Sequence, residues 1–325
     1  MKRLGVLSIL ICLSMLAGCS GAMNTDSSDK INVVCTVYPQ YDWAREIIGD
    51  AENTELTLLV DNGTDFHSYQ PGTDDMVTLA SCDVLIYIGG TSDKWVQDSI
   101  ANAANPDMQT VNLTEILGDS IIEEVCTLED EEHHHEHDHD HEEHTYDEHV
   151  WLSLKNAKLF CSSIADALCS ADPENAQSYK ANAEAYMEKL DELDAKYKET
   201  VEGATYPRMI FADRFPFIYM MEDYDIEYYA AFPGCSSETD ASFETVVSLA
   251  EKVDSCGVCG VFTIEGSDSS IADAVLSNTK NGKGEIYTLN SMQSVSREDI
   301  DSGCTYLSVM EENLAEIRGA MYIYE

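Results

Sequence analysis

The sequence predicts an α/β fold. Two observations carry that reading: β-rich runs alternate with helical patterns in each half of the chain, and a long amphipathic helix separates the halves. Alternation of this kind builds parallel sheet covered by helices on both faces. The 325 residues allow one large domain or two ordinary ones, and 44% hydrophobic residues suffice for a packed core.

In chain order, Ile31–Tyr38 (INVVCTVY) reads as a strand and Tyr41–Ile48 as the helix after it. Glu55–Val60 and Val84–Ile88 read as further strands, and a helix is expected to start near Trp95. In the second half the strands are Arg208–Phe211, Ile226–Ala231, Val258–Thr263 and Glu285–Leu289. Phe215–Glu222, Ser242–Asp254 and Ser269–Ser277 read as the helices between them, and Gly303–Met321 as a closing helix. Between the halves, Ala176, Tyr179, Ala183, Tyr186, Leu190, Leu193 and Tyr197 recur at alternating spacings of three and four. That places them on one stripe of a helix from Pro173 to Val201, with proline tolerated near the first turn. Tyrosines and alanines along the stripe favour packing against two lobes over a coiled-coil seam.

The first residues are expected to lie outside the fold. Lys2 and Arg3 precede an apolar run, Leu4–Leu16, too short for a permanent membrane span. Leu16-Ala17-Gly18-Cys19 resembles the lipobox of bacterial lipoproteins, in which the cysteine is lipidated and becomes the mature N-terminus. This implies lipidation of Cys19, an extracytoplasmic location on the cell membrane, and contact with the bilayer through that lipid only. Gly21–Lys30, rich in Ser and Asp, reads as a tether.

Bulk charge excludes more than it selects. With 18 basic and 61 acidic residues the formal net charge is −43, which repels nucleic acid and anionic lipid. Eleven cysteines leave nine beyond Cys12 and Cys19, an odd number that argues against a complete disulfide framework. Cys256-Gly257-Val258-Cys259 has the spacing of a metal or redox pair but has no second pair after it. It sits in an apolar run and reads as small buried hydrophobes in a strand.

Histidine is distributed very unevenly. His67 stands alone, and the other eight lie between His133 and His149. His133, His134, His135, His137, His139, His141 and His144 occupy Glu131–His144, EEHHHEHDHDHEEH. This segment cannot bury a core and offers imidazole and carboxylate together, a set suited to zinc, copper or nickel. A loop of this kind collects metal and does not define one geometry. A precise site should use isolated residues at rigid strand ends.

Two such segments carry a family resemblance. Gly63-Thr-Asp-Phe-His67-Ser-Tyr69-Gln-Pro71 resembles the G-x-x-P-H-x-Y-E-P motif of the metal-binding solute-binding lipoproteins of bacterial ABC importers. Asp147-Glu-His149-Val-Trp151-Leu152-Ser153 resembles the D-P-H-x-W-L-S motif of that family, and the histidine loop directly precedes it, as in the zinc-uptake members. Val261-Phe262-Thr263-Ile264-Glu265 resembles the family's strand ending in an acidic ligand. Asn290-Ser-Met-Gln-Ser-Val295 and the stretch from Gly303 to Leu314 resemble its C-terminal signature. The resemblance spans nearly the whole mature chain.

It implies two lobes of parallel sheet flanked by helices, joined by one long rigid helix, with the metal site in the cleft between the lobes. The boundaries then run as signal peptide 1–18, tether 19–30, first lobe 31–170, connecting helix 171–202 and second lobe 203–325. It also implies His67 and His149 as ligands from the first lobe and Glu265 from the second. The family's third histidine, in H-x-A-F-x-Y, has no counterpart in Ile210-Phe-Ala-Asp213-Arg-Phe-Pro-Phe217. Asp213 is the nearest substitute, with a helix N-cap as its other reading, while Arg214 is placed to neutralise an acidic neighbour. Two imidazoles and two carboxylates make a harder set that tolerates manganese or iron better.

The expected function is capture of a divalent metal, Zn2+ first with Mn2+ or iron as the alternative, for delivery to an ABC transporter permease. Protonation of His67 and His149 near pH ~6 is expected to weaken binding. A surface metal buffer or adhesin, using only the loop, is the competing class. An enzyme is not expected: the zinc-hydrolase signature H-E-x-x-H is absent, His141-Glu142-Glu143-His144 being one residue short.

Overall fold

In each half, four strands pair in parallel into a sheet of their own. The computed structural model describes residues 30–124, 128, 146–236 and 240–322. Cys19, the signal and tether segments up to residue 29, and the histidine loop 131–144 lie outside the described residues. Residues 1–30 and 31–325 form separate units, and both sheets belong to the second of these.

The first sheet takes β1 (Ile31–Cys35), β2 (Thr54–Leu58), β3 (Val84–Tyr87) and β4 (Gln109–Asn112) in the order β2-β1-β3-β4. Helices α1 (Tyr38–Ile48), α2 (Thr73–Ser81), α3 (Trp95–Ala101) and α4 (Leu113–Leu117) alternate with these strands. Two long helices, α5 (Leu154–Ala171) and α6 (Ala176–Glu202), then lead to the second half. The second sheet takes β5 (Arg208–Phe215), β6 (Glu227–Pro233), β7 (Gly260–Ile264) and β8 (Glu285–Leu289) in the order β6-β5-β7-β8. Its helices are α7 (Ile218–Tyr224), α8 (Phe243–Cys256), α9 (Ser270–Asn278), α10 (Arg297–Asp301) and α11 (Tyr306–Met321). The central strands β3 and β7 are buried at every residue, which is why both read as unbroken apolar runs. Parallel strands need covered crossovers, so the same pattern dictates helices on both faces.

At 27 residues α6 is ~40 Å long. Tyr179, Ala183, Tyr186, Leu190, Leu193 and Tyr197 of the predicted stripe are buried, whereas Ala176 is half-buried at the first turn. The stripe packs against α1, α5, α7 and α11. Trp43 of α1 meets Tyr306 of α11 edge-on at 5.1 Å, and one continuous core runs from Val33 through Trp151 and Tyr186 to Phe262. The two lobes are flanked by helices, as the resemblance implied.

Three local differences from expectation have physical causes. The strand expected to stop at Phe211 runs on to Phe215, because a bulge between Phe211 and Arg214 keeps it paired with β6. Phe215 is therefore a buried strand residue and α7 begins at Ile218, so Asp213 caps no helix. Cys256 and Cys259 are not buried strand residues: Cys256 ends α8, Gly257 turns in the left-handed region, and Cys259 is exposed and free.

Candidate metal site

The chemistry gathers at the carboxyl ends of the strands, where open parallel sheets place ligands. His67 lies in a turn beyond β2, Phe66–Ser68, capped by the Asp65 carboxylate, which accepts the His67 backbone N–H at 3.0 Å. His149 heads the turn Val150–Leu152, and Ser153 behind it caps α5 by accepting the Asn156 N–H. Both side chains are thus fixed by local capping. Aromatic packing adds to this: Phe66 lies against the His67 ring and meets Trp151 edge-on, and Trp151 in turn meets His149.

The two imidazoles point their Nε2 atoms at each other across 3.1 Å. Each Nδ1 is held from behind, His67 by the Ser92 hydroxyl at 2.8 Å and His149 by the Asp147 carboxylate at 3.1 Å. A carboxylate only accepts, so His149 carries its proton on Nδ1 and presents an Nε2 lone pair. Whichever tautomer His67 takes, the Ser92 hydroxyl behind its Nδ1 can match it. A hydroxyl serves equally as donor or acceptor, so Ser92 tolerates the tautomer that frees His67 Nε2. Two nitrogens bound to one zinc at ~2.05 Å with a tetrahedral angle lie ~3.3 Å apart. The observed separation is close to that value.

The second lobe closes on this pair. Gln293, beyond β8, brings Nε2 to 2.7 Å from His149 Nε2, while its Oε1 is buried without a partner. The same segment accepts the Phe66 N–H on Gln293 O and the Trp151 indole N–H on Ser291 O. Cys235, just past β6, places Sγ within 4.8 Å of ligand atoms of His67 and His149, and also near Glu124 and Asp147. Its backbone N–H donates to Glu124 at 2.7 Å. Gly234 makes this approach possible. A Cβ there would meet Phe215 O at 2.8 Å and Asp147 Oδ2 at 3.0 Å, so no larger residue fits without a shift.

Electrostatics favour neutral nitrogen. Burial first, then the His149 and Arg214 charges, lower the His67 pKa to about 2. That direction disfavours protonation of His67, so this ring favours the neutral form that offers a lone pair. Burial, reinforced by Asp147 and Glu124, pushes the Cys235 thiol well up, with a backbone N–H from Glu148 opposing.

The structure leaves the two predicted carboxylates outside this group. Asp213 accepts the N–H of Arg214 at 2.8 Å and of Ile264 at 3.4 Å, stitching the bulge in β5 to β7. Glu265 accepts the Ser291 N–H at 2.7 Å, the Ser291 hydroxyl at 2.6 Å and the Gln293 N–H at 3.4 Å, and burial raises its pKa. It shapes the strand end that carries Gln293. Arg214 does neutralise an acidic neighbour: it reaches across to Asp65 at 3.0 Å. Ser92, Gln293 and Cys235 were not singled out from the sequence. Ser92 and Cys235 stand in turn-rich stretches without a motif, and Gln293 lies inside the C-terminal signature without a distinctive neighbour.

Two parallel-sheet lobes with a half-buried and a buried imidazole meeting between them define a two-lobed α/β binding protein. The chain belongs to the family of the periplasmic component A of the zinc-uptake complex, ZnuA, whose family model matches residues 33–320. It is 29% identical over 318 residues to the zinc-binding lipoprotein AdcA of Streptococcus pneumoniae R6, covering 98% of this chain and 61% of the relative. The chain thus spans about three fifths of that protein's length. It is 27% identical over 326 residues to the high-affinity zinc uptake system protein ZnuA of Bacillus subtilis, covering 99% of this chain and 98% of the relative. The crystal structure of the Zn(II)-bound ZnuA-like domain of S. pneumoniae AdcA superimposes with a TM-score of 0.69 at 26% identity, over 90% of this chain and 99% of that one.

Proposed function

We propose that this protein captures a divalent metal, zinc first, outside the cytoplasmic membrane and delivers it to the permease of an ABC importer. The observation that carries the reading is the pair of imidazole nitrogens 3.1 Å apart, each with its far nitrogen anchored. Back-anchoring of that kind orients imidazole for a metal. Relatives named for zinc binding and zinc uptake support the same choice of cargo.

In this reading His67 and His149 are the imidazole ligands. Asp213 and Glu265 would join them only on release of the N–H groups they now hold. His133, His134, His135, His137, His139, His141 and His144 collect metal weakly ahead of the site. Lipidation at Cys19 is the membrane attachment, with residues 1–18 removed and 19–30 as tether. The lobes are 31–170 and 203–325, with 171–202 connecting them. Cargo bound across the seam ties the lobes together and stabilises the fold by mass action. The role is transport and not catalysis.

Deleting Glu131–His144 tests this against a surface metal buffer. The shortened protein should retain one tightly bound zinc per chain by elemental analysis. Loss of nearly all bound metal would place the function in the loop and refute the seam site.

A further inference from the structure

We infer that Cys235 supplies a thiolate ligand from the second lobe to the metal held by His67 and His149, and that this sulfur sets the preference for zinc. The inference rests on the proposed function and names a donor that the family motifs do not contain.

Three observations place it there. Sγ of Cys235 lies within 4.8 Å of ligand atoms of both His67 and His149, whereas neither Asp213 nor Glu265 joins that group among the described residues. The position is built: Gly234 sits against Phe215 O and Asp147 Oδ2 where a side chain cannot, and the Cys235 N–H is pinned to Glu124 at 2.7 Å. Independently, the buried Gln293 amide is aimed at His149 Nε2 at 2.7 Å with its oxygen unsatisfied. Unpaired buried polar atoms are rare and ask for a reason. A cation between the imidazoles supplies one, because rotation of the amide would turn Oε1 toward it.

The donor chemistry is then defined. On binding, the thiol releases its proton to solvent and the sulfur coordinates as thiolate. Two imidazoles and one thiolate form a softer set than two imidazoles with two carboxylates. Such a set suits zinc and disfavours manganese, which prefers oxygen. Asp213 is then free to keep its place in the bulge of β5.

Loading the full metal-stripped chain with one equivalent of Co(II) tests this by absorption spectroscopy. Thiolate bound to Co(II) gives an intense near-ultraviolet charge-transfer band that imidazole and carboxylate do not. The wild type should show the band. Cys235→Ser should lose it, while the double variant Cys256→Ser, Cys259→Ser and the variant Asp213→Ala should keep it. Cys235→His, which offers a third imidazole, should bind Co(II) without the band and so separates ligand loss from misfolding. Tight Co(II) binding by the wild type with no thiolate band, or a band that survives Cys235→Ser, overturns the inference and leaves the proposed function standing. A wild type that binds no metal overturns the proposed function itself.

Discussion

Replacing Ser92 by alanine isolates the anchoring of one imidazole from everything else at the site. The hydroxyl is 2.8 Å from His67 Nδ1, while the Ser92 backbone N–H goes separately to the Glu148 carboxylate at 3.0 Å. Ser92→Ala therefore removes one hydrogen bond and leaves the loop pinned. Without metal, the loss should be one ordinary hydrogen bond, about 0.5–1.5 kcal/mol of folding stability in urea unfolding. Zinc affinity should fall more, since partners behind metal-bound histidine are worth 10–100-fold, or about 1.4–2.7 kcal/mol. Competition against a chromophoric chelator measures it. Unchanged zinc affinity alongside lowered stability would refute the anchoring role, because the hydroxyl would then serve the fold and not the ligand.

The same geometry sets other outcomes. Gly234→Ala should destabilise the fold by ~1–3 kcal/mol through overpacking against the Phe215 carbonyl and Asp147, and should also weaken zinc binding; thermal and chelator titrations of the same variant read both effects. His67 has its pKa lowered in the folded state, so between about pH 2 and its unfolded value the unfolded chain binds the extra proton. Metal-free stability should therefore fall as pH drops below ~6.5, by up to ~1.4 kcal/mol per unit from this group, and His67→Asn should flatten that slope in acid titration. Leu190→Ala, at a fully buried position of the α6 stripe, should cost ~2–5 kcal/mol in chemical unfolding while leaving the metal stoichiometry unchanged.

The sequence made much of this molecule legible for identifiable reasons. Long periodic or uniformly apolar segments announce themselves, and β3, β7 and the stripe of α6 were readable because burial on all sides or on one face writes directly into residue type. Elements such as β4, of which only Val111 is buried, carry too little pattern. The long helix α5 carries a regular buried face, Leu154, Ala157, Phe160, Cys161, Ile164, Ala165 and Leu168, that a reading centred on the motif capping it passes over. The end of β5 was misplaced because a bulge lets polar Asp213 and Arg214 stay within a strand, a choice made by pairing and not by propensity.

At the candidate site, His67 and His149 stood out because lone histidines in recognisable motifs are rare in this chain. What gathers around them depends on how the lobes meet. Asp213 and Glu265 look like ligands along the chain, yet in three dimensions each is engaged by backbone N–H groups at the end of its own sheet. Cys235 and Gln293 reach the imidazoles only through a close approach allowed by Gly234 and by the turn after β8. No spacing rule in one dimension encodes that meeting.

The central claim is that residues 67 and 149 share one cation. Zinc-edge X-ray absorption on stoichiometrically loaded protein lacking residues 131–144 tests it most directly. Two imidazole shells at ~2.0–2.1 Å are predicted, with both lost in the double variant His67→Ala, His149→Ala. A spectrum without imidazole scattering, or one left unchanged by the double substitution, would contradict it.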